Sequence, residues 1–160
     1  MVTALAPNKR VDLAVKAFNE LGLPLKIVGS GSSEDEKRLR SMAKENIEFL
    51  GNKDRSEIIE LYAKAKAFIF PGVEDFGITP LESLASGTPL VAFKHGGILE
   101  TQTSQTAVFF SRPTAKDLEK SVKNLPEFSS ETLYGQASLF SKSTFINKIQ
   151  NEVQELLKKG

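Results

Sequence analysis

Short apolar runs recur along the chain at residues 2–5, 25–28, 47–50, 67–70, 89–93 and 107–110, and most of the intervals between them carry longer stretches of helical period. A run of four or five apolar residues suits a strand buried on both faces, and an amphipathic helix is the usual crossover between parallel strands. The alternation therefore predicts an α/β fold: one Rossmann-like, doubly wound domain of about six parallel strands flanked by helices. No low-complexity segment, internal repeat or Gly/Ser linker interrupts residues 1–160, so a single domain is expected throughout.

The helices carry their own punctuation. Val11, Ala14, Val15, Phe18 and Leu21 form one stripe of a half-buried helix, which Gly22 and Pro24 stop. Asp54 and Glu57 have the spacing of a capping box, opening a helix with Ile58, Leu61, Tyr62 and Ala65 inward. Thr79, Pro80 and Glu82 suggest a second box, with Thr79 as N-cap and Gly87 closing the helix before Pro89. Beyond residue 110 the pattern weakens, and helices are expected near residues 115–124, 130–140 and 144–158. In the last of these, Phe145, Ile149, Val153 and Leu156 make one apolar stripe.

Composition removes several functional classes. A formal net charge of +1 gives no general pull toward nucleic acid or membrane, so an anion site must come from a few placed residues. The absence of Cys excludes disulfides and thiol chemistry and agrees with a reducing, cytoplasmic setting, and a single His excludes a multi-His metal site. No apolar run approaches the roughly 18 residues of a membrane span, and no signal-peptide pattern opens the sequence.

In doubly wound sheets ligands bind beyond the carboxyl ends of the strands, so the loops there hold the candidates. Lys9 and Arg10 sit at a helix start, where the macrodipole favours anions; they are either two solvated cations or a phosphate clamp. Gly29 and Gly31 follow the second strand, but Glu34 occupies the place of the third glycine in a dinucleotide fingerprint. They make a turn, or allow close approach of a ligand to the backbone. In "GVEDFGITPLESLASG", residues 72–87, capping accounts for Glu82, whereas Glu74, Asp75, Phe76 and Gly77 have no structural duty visible in the sequence. Carboxylates accept bonds from vicinal hydroxyls, and the N–H groups of Gly77, Ile78 and Thr79 would face an anion near the helix start. A Glu74 turned away from the cleft into an ion pair would count against this reading. The lone His95, in "KHGGILET", reads as a surface residue, and Glu34-Asp35-Glu36 as a solvated helix start.

With these residues in place, the chain resembles the C-terminal, donor-binding domain of family 4 glycosyltransferases, retaining enzymes of the GT-B fold. The resemblance rests on "ALAPNKRVDLAVKAFNELGLPLKIVGSG", on "IEFLGNKDRSEIIELYAKAKAFIFPGVEDFGITPLESLASGTPLVAF", on "GGILET" and on "FSKSTFINKI", with the Glu-x7-Glu spacing around Phe-Gly its most specific part. It implies that the catalytic residues of this half are Lys9, on the donor diphosphate with backbone N–H groups near Ile78 and Thr79, and Glu74, on the transferred sugar with backbone of Phe76 and Gly77. Glu82 would take the ribose hydroxyls, the loop of Gly51, Asn52 and Lys53 would lie near the base, and Gly29 would border the donor. Many family members have Arg where this chain has Ala4, which leaves Arg10 as the second candidate cation. The "ALAPNKR" form is similar to that of bacterial lipopolysaccharide mannosyltransferases.

The resemblance further implies a GDP-, UDP- or ADP-linked sugar as co-substrate and no metal or other cofactor. It also implies an N-terminal acceptor domain or partner chain, which this chain lacks and through which any membrane contact would run. Two alternatives stay open: a non-enzymatic nucleotide-sugar-binding or partner-docking module, and half of a GT-B sugar-nucleotide epimerase.

Overall fold

The computed structural model describes residues 1–159. Strands β1 (Leu25–Val28) and β2 (Ile47–Gly51) pair in parallel with Leu25 opposite Ile47. Strands β3 (Phe68–Phe70), β4 (Leu90–Phe93) and β5 (Ala107–Phe110) form a second parallel ladder in that order. Helix α1 (Val11–Leu21) precedes β1, and α2 (Ser33–Met42), α3 (Arg55–Ala63), α4 (Ile78–Ala85) and the short α5 (Ile98–Thr101) are the successive crossovers. Three helices follow: α6 (Ala115–Lys123), α7 (Ser130–Ser138) and α8 (Lys142–Lys159). The parallel α/β architecture is the one the alternation predicts.

The expected first strand is reduced to a single bridge. Val2 bridges Val28, the Thr3 N–H donates to the Val28 carbonyl at 3.0 Å, and the Leu5 N–H donates to Ser30 at 2.9 Å. Between those two bonds lies Gly29, whose φ of +129° breaks the extended backbone of β1 and with it the ladder. Residues 1–3 nonetheless face Phe68, Ile69 and Phe70 across a gap of about 10 Å³, so the N-terminal segment fills the seam between the two ladders. The result is five strands rather than six.

Alternation along the strands gives the sheet two covered faces. Ile69 and Val91 join a core built on α1 (Val11, Ala14, Val15, Phe18), Ile27 and Leu118 of α6. Their neighbours Phe68, Phe70, Leu90 and Ala92 join a second core with Tyr62, Leu84, Ile98 and Leu133. Each Val, Leu, Ile or Phe among them, fully buried, stabilises the fold by about 1.5–3 kcal/mol.

Helix ends follow the sequence in two places and depart from it in two, the first being α3, which stops at Ala63 and leaves Ala65, expected inward on it, outside the helix and exposed. α1 ends at Gly22, left-handed at φ 65°, with its N–H on the Phe18 carbonyl, and Asp54 and Glu57 close the capping box of α3 in both directions. Helix α4, however, begins at Ile78 behind Gly77 at φ 84°, and no side chain caps it. The left-handed glycine starts the helix one residue before Thr79 rather than one after, with Pro80 inside the first turn, where a missing N–H costs no intrahelical bond. Thr79 and Glu82 therefore form no capping box.

On α8 the expected stripe is present but uncovered. Phe145, Ile149, Val153 and Leu156 are exposed, and so are Ile146 and Leu157 beside them.

Two glycines separate backbone strain from crowding. A Cβ at Gly29 would stand 1.9 Å from the Thr3 carbonyl oxygen, whereas one at Gly22 would meet nothing within 4 Å. Gly22→Ala should cost about 1 kcal/mol from the left-handed φ alone, and Gly29→Ala roughly 3 kcal/mol or more, because crowding adds to strain. Urea midpoints of the two variants check this; equal shifts would contradict it.

Candidate functional site

Three loops at the carboxyl ends of the strands pack backbone to backbone. Gly72, after β3, lies against Lys9 so closely that a Cβ would stand 2.9 Å from the Lys9 Cα. Gly97, after β4, lies against the next stretch of the same loop, where a Cβ would come within 1.9 Å of the Asp75 carbonyl oxygen. The Gly97 N–H donates to the Glu74 carbonyl at 2.9 Å. Residues 72–77 are thus clamped between the Lys9 turn and the Gly96-Gly97 turn, and only glycine permits either approach.

That clamp places two side chains 65 positions apart in direct contact. The Lys9 Nζ lies 2.7 Å from Glu74 Oε1, with the two side chains 22% and 29% exposed. Glu74 therefore has a structural duty that the sequence does not display. It is ion-paired, and its partner is the very lysine expected at the same ligand. A partly solvated pair of this kind contributes at most about 1 kcal/mol to stability. Its larger effect is to orient both groups. Arg10 does not join them: among the described residues it is the one non-glycine with positive φ, 53°, and its Nε donates to Asp12 Oδ1 at 3.3 Å. The first turn of α1 thus supplies its own counter-charge for Arg10.

Beyond Glu74 the chain turns through Gly77 into α4. Among the described residues no protein acceptor meets the N–H groups of Gly77, Ile78 or Thr79, so the helix start presents open donors as well as the positive end of its dipole. Phe76 is 46% exposed, and its ring meets Phe140 edge to face with centroids 6.0 Å apart.

Glu82 sits elsewhere. It lines a groove of about 390 Å³ between α3 and α4 with Arg55, Ile58, Ile59, Tyr62, Ala85 and Ser86. The two glutamates are thus not a pair: one is bound to Lys9 and the other faces a separate groove. The Tyr62 hydroxyl is buried there without a hydrogen-bond partner among the described residues. Burial first, and then the charge and acceptor oxygens of Glu82, push its pKa above the ordinary phenol range, although no bond of good geometry closes between them. The sequence marked Tyr62 only as an inward helix position. Its one polar atom, on an otherwise apolar face, was the signal available.

The other expected residues divide. Gly51, at the end of β2, has φ 66° and open space beside it, followed by exposed Asn52. Lys53 Nζ lies 2.8 Å from Glu57 Oε1, tied to the first turn of α3, and that bond raises its pKa. Gly29 is required by its contact with Thr3, without any ligand. His95 is exposed and stacks on Phe93 at 5.8 Å, and residues 34–36 form the first turn of α2, both as expected. No group of three or more His, Asp or Glu side chains gathers in metal-binding fashion among the described residues.

Comparison with known proteins bears on these features. Mannosylfructose-phosphate synthase of Agrobacterium fabrum is 29% identical over 151 residues, which take in 84% of this chain and 33% of that protein. A GDP-mannose-dependent monoacylated alpha-(1-6)-phosphatidylinositol monomannoside mannosyltransferase of Corynebacterium glutamicum is 34% identical over 118 residues, 65% of this chain and 31% of that protein. A glycosyltransferase from Rickettsia africae superposes with a TM-score of 0.86 at 21% identity, over 100% of this chain and 48% of that one. Anabaena Alr3699/HepE, solved in complex with UDP and glucose, superposes at 0.79 and 20% identity, over 96% of this chain and 48% of that one. The chain thus spans about a third of the curated relatives and about half of the solved chains. Residues 1–131 match Glycosyl transferases group 1, and the chain belongs to that family.

Proposed function

We propose that the chain is the donor-binding half of a retaining hexosyltransferase that takes its sugar from a nucleoside diphosphate in glycan biosynthesis. The observation that carries this reading is the Lys9–Glu74 contact, made four positions before Ile78 opens α4 with open N–H donors. An ammonium has three donors, so Lys9 can keep Glu74 while donating to a phosphate oxygen. The second oxygen of Glu74 can then accept from a sugar hydroxyl. A diphosphate would meet Lys9 on one side and the helix start on the other, and both would stabilise the charge that develops as the sugar departs. The reading invokes no metal and no protein nucleophile. Glu82 would take the ribose hydroxyls in the α3–α4 groove, with Gly51, Asn52 and Lys53 near the base.

Relatives named as mannosyltransferases, among them an O-antigen chain mannosyltransferase of Salmonella typhimurium, support a hexose as the transferred group. The relatives' greater length supports a second half that carries the acceptor site. Among the described residues no helix is long and apolar enough to cross a membrane. We place the chain in the cytoplasm, a setting its cysteine-free sequence suits. A second reading, a module that docks a partner chain, draws support from the uncovered apolar face of α8.

Calorimetry with UDP, GDP and ADP and their sugars tests the reading. One of these should bind, and no binding at millimolar concentration by the folded chain would sink it. Lys9→Ala should weaken the diphosphate complex by about 1.5–3 kcal/mol, the range for a bond to a charged group. Glu74→Gln should behave oppositely toward the two ligands. With Lys9 released from its counter-charge, the nucleoside diphosphate should bind as well or better, while the added affinity for the sugar-bearing form is lost. Glu82→Gln should weaken both by on the order of 1 kcal/mol, and unchanged affinity would remove Glu82 from the site.

A further inference from the structure

The groove between α3 and α4 contains a polar atom that packing does not explain. Tyr62 is 3% exposed, its ring meets Phe68 edge to face at 5.4 Å, and its carbonyl accepts the Thr88 hydroxyl. The Thr88 bond holds the main chain, while burial and the Phe68 contact fix the ring, and a phenylalanine would fill the same volume. The hydroxyl nevertheless stands at the groove wall with no bonded partner among the described residues, and the one carboxylate lining that groove is Glu82, on the facing helix. Glu82 is only partly buried and has rotamers to choose among, whereas the phenol does not. A fixed donor beside a mobile acceptor selects the acceptor's conformation.

We propose that Tyr62 is a positioning residue for Glu82, its hydroxyl donating to the carboxylate and holding it in the rotamer that accepts ligand hydroxyls in the α3–α4 groove. The ligand half of this statement rests on the reading that assigns Glu82 to the ribose; the Tyr62–Glu82 bond itself does not. Burial of the phenol, and its upward-shifted ionisation beside Glu82, agree with a hydroxyl that stays protonated and available as a donor. With its O–H on one carboxylate oxygen, the other oxygen remains free for a vicinal diol. Without the phenol, Glu82 would sample rotamers directed to solvent, and the ligand would have to order it on binding.

Two measurements decide it. The chain has two tyrosines and no tryptophan, so Tyr134→Phe leaves Tyr62 as the sole tyrosine emitter. A phenol bonded to a carboxylate loses its excited-state proton to it and emits weakly; Glu82→Gln in that background should brighten the emission severalfold. Unchanged emission would overturn the proposal, whether or not any nucleotide binds. The second measurement is a double-mutant cycle on whichever of UDP, GDP or ADP binds the wild-type chain. Tyr62→Phe alone should weaken binding about fivefold with an unaltered thermal midpoint, and should add nothing in the Glu82→Gln background. Additive losses would mean that Tyr62 acts independently of Glu82 and would also overturn it. If none of UDP, GDP and ADP binds, the nucleotide reading fails while the emission result still decides the Tyr62–Glu82 bond.

Discussion

The contact between the Lys9 ammonium and the Glu74 carboxylate joins the turn before α1 to the loop after β3, and the proposed chemistry depends on it. Its worth is not stability, because a pair this exposed contributes little against water. Each charge holds the other where a polar ligand could use both. The backbone makes this possible: Gly72 lets the β3 loop approach Lys9, and Gly97 fixes the far side of the same loop. Arg10, also cationic and one residue on, is drawn to Asp12 instead, so Lys9 is the cation that faces Glu74.

The layers beneath explain why these loops meet. Alternate residues of β3 and β4 enter opposite cores, so both faces of the sheet are covered and the strand ends are held level. The N-terminal segment lies in the seam between the two ladders and delivers the Lys9 turn beside the end of β3. Gly29 sits where that segment and β1 would otherwise collide. The same glycine that stops a sixth strand from forming allows the chain to pass through the seam.

Much of the fold was legible because it is written in local patterns. Apolar runs gave the five strands, and Gly22 and the Asp54–Glu57 box marked helix ends where the structure has them. Two of the departures share a cause: a left-handed glycine whose effect depends on its surroundings. Gly77 moved the start of α4 ahead of Thr79, and Gly29 interrupted the pairing of residues 2–5. The site was legible by residue type but not by contact. Lys9 and Glu74 could be named from their loops, yet their 2.7 Å contact spans 65 positions and belongs to tertiary packing. Tyr62 read as core because its ring is core; only the neighbourhood of its hydroxyl distinguishes it. The α8 stripe was visible as periodicity, which cannot say whether anything covers it.

Amide-resolved nuclear magnetic resonance of the chain, titrated with the nucleoside diphosphate that binds it, tests the central claim most directly. Donor binding on the Lys9–Glu74 contact requires the largest shifts at the amides of Lys9, Glu74, Gly77, Ile78 and Thr79, the last three moving downfield as their open N–H groups gain an acceptor. Shifts centred on α2 or α6, with the Lys9 turn and the start of α4 unmoved, would contradict it.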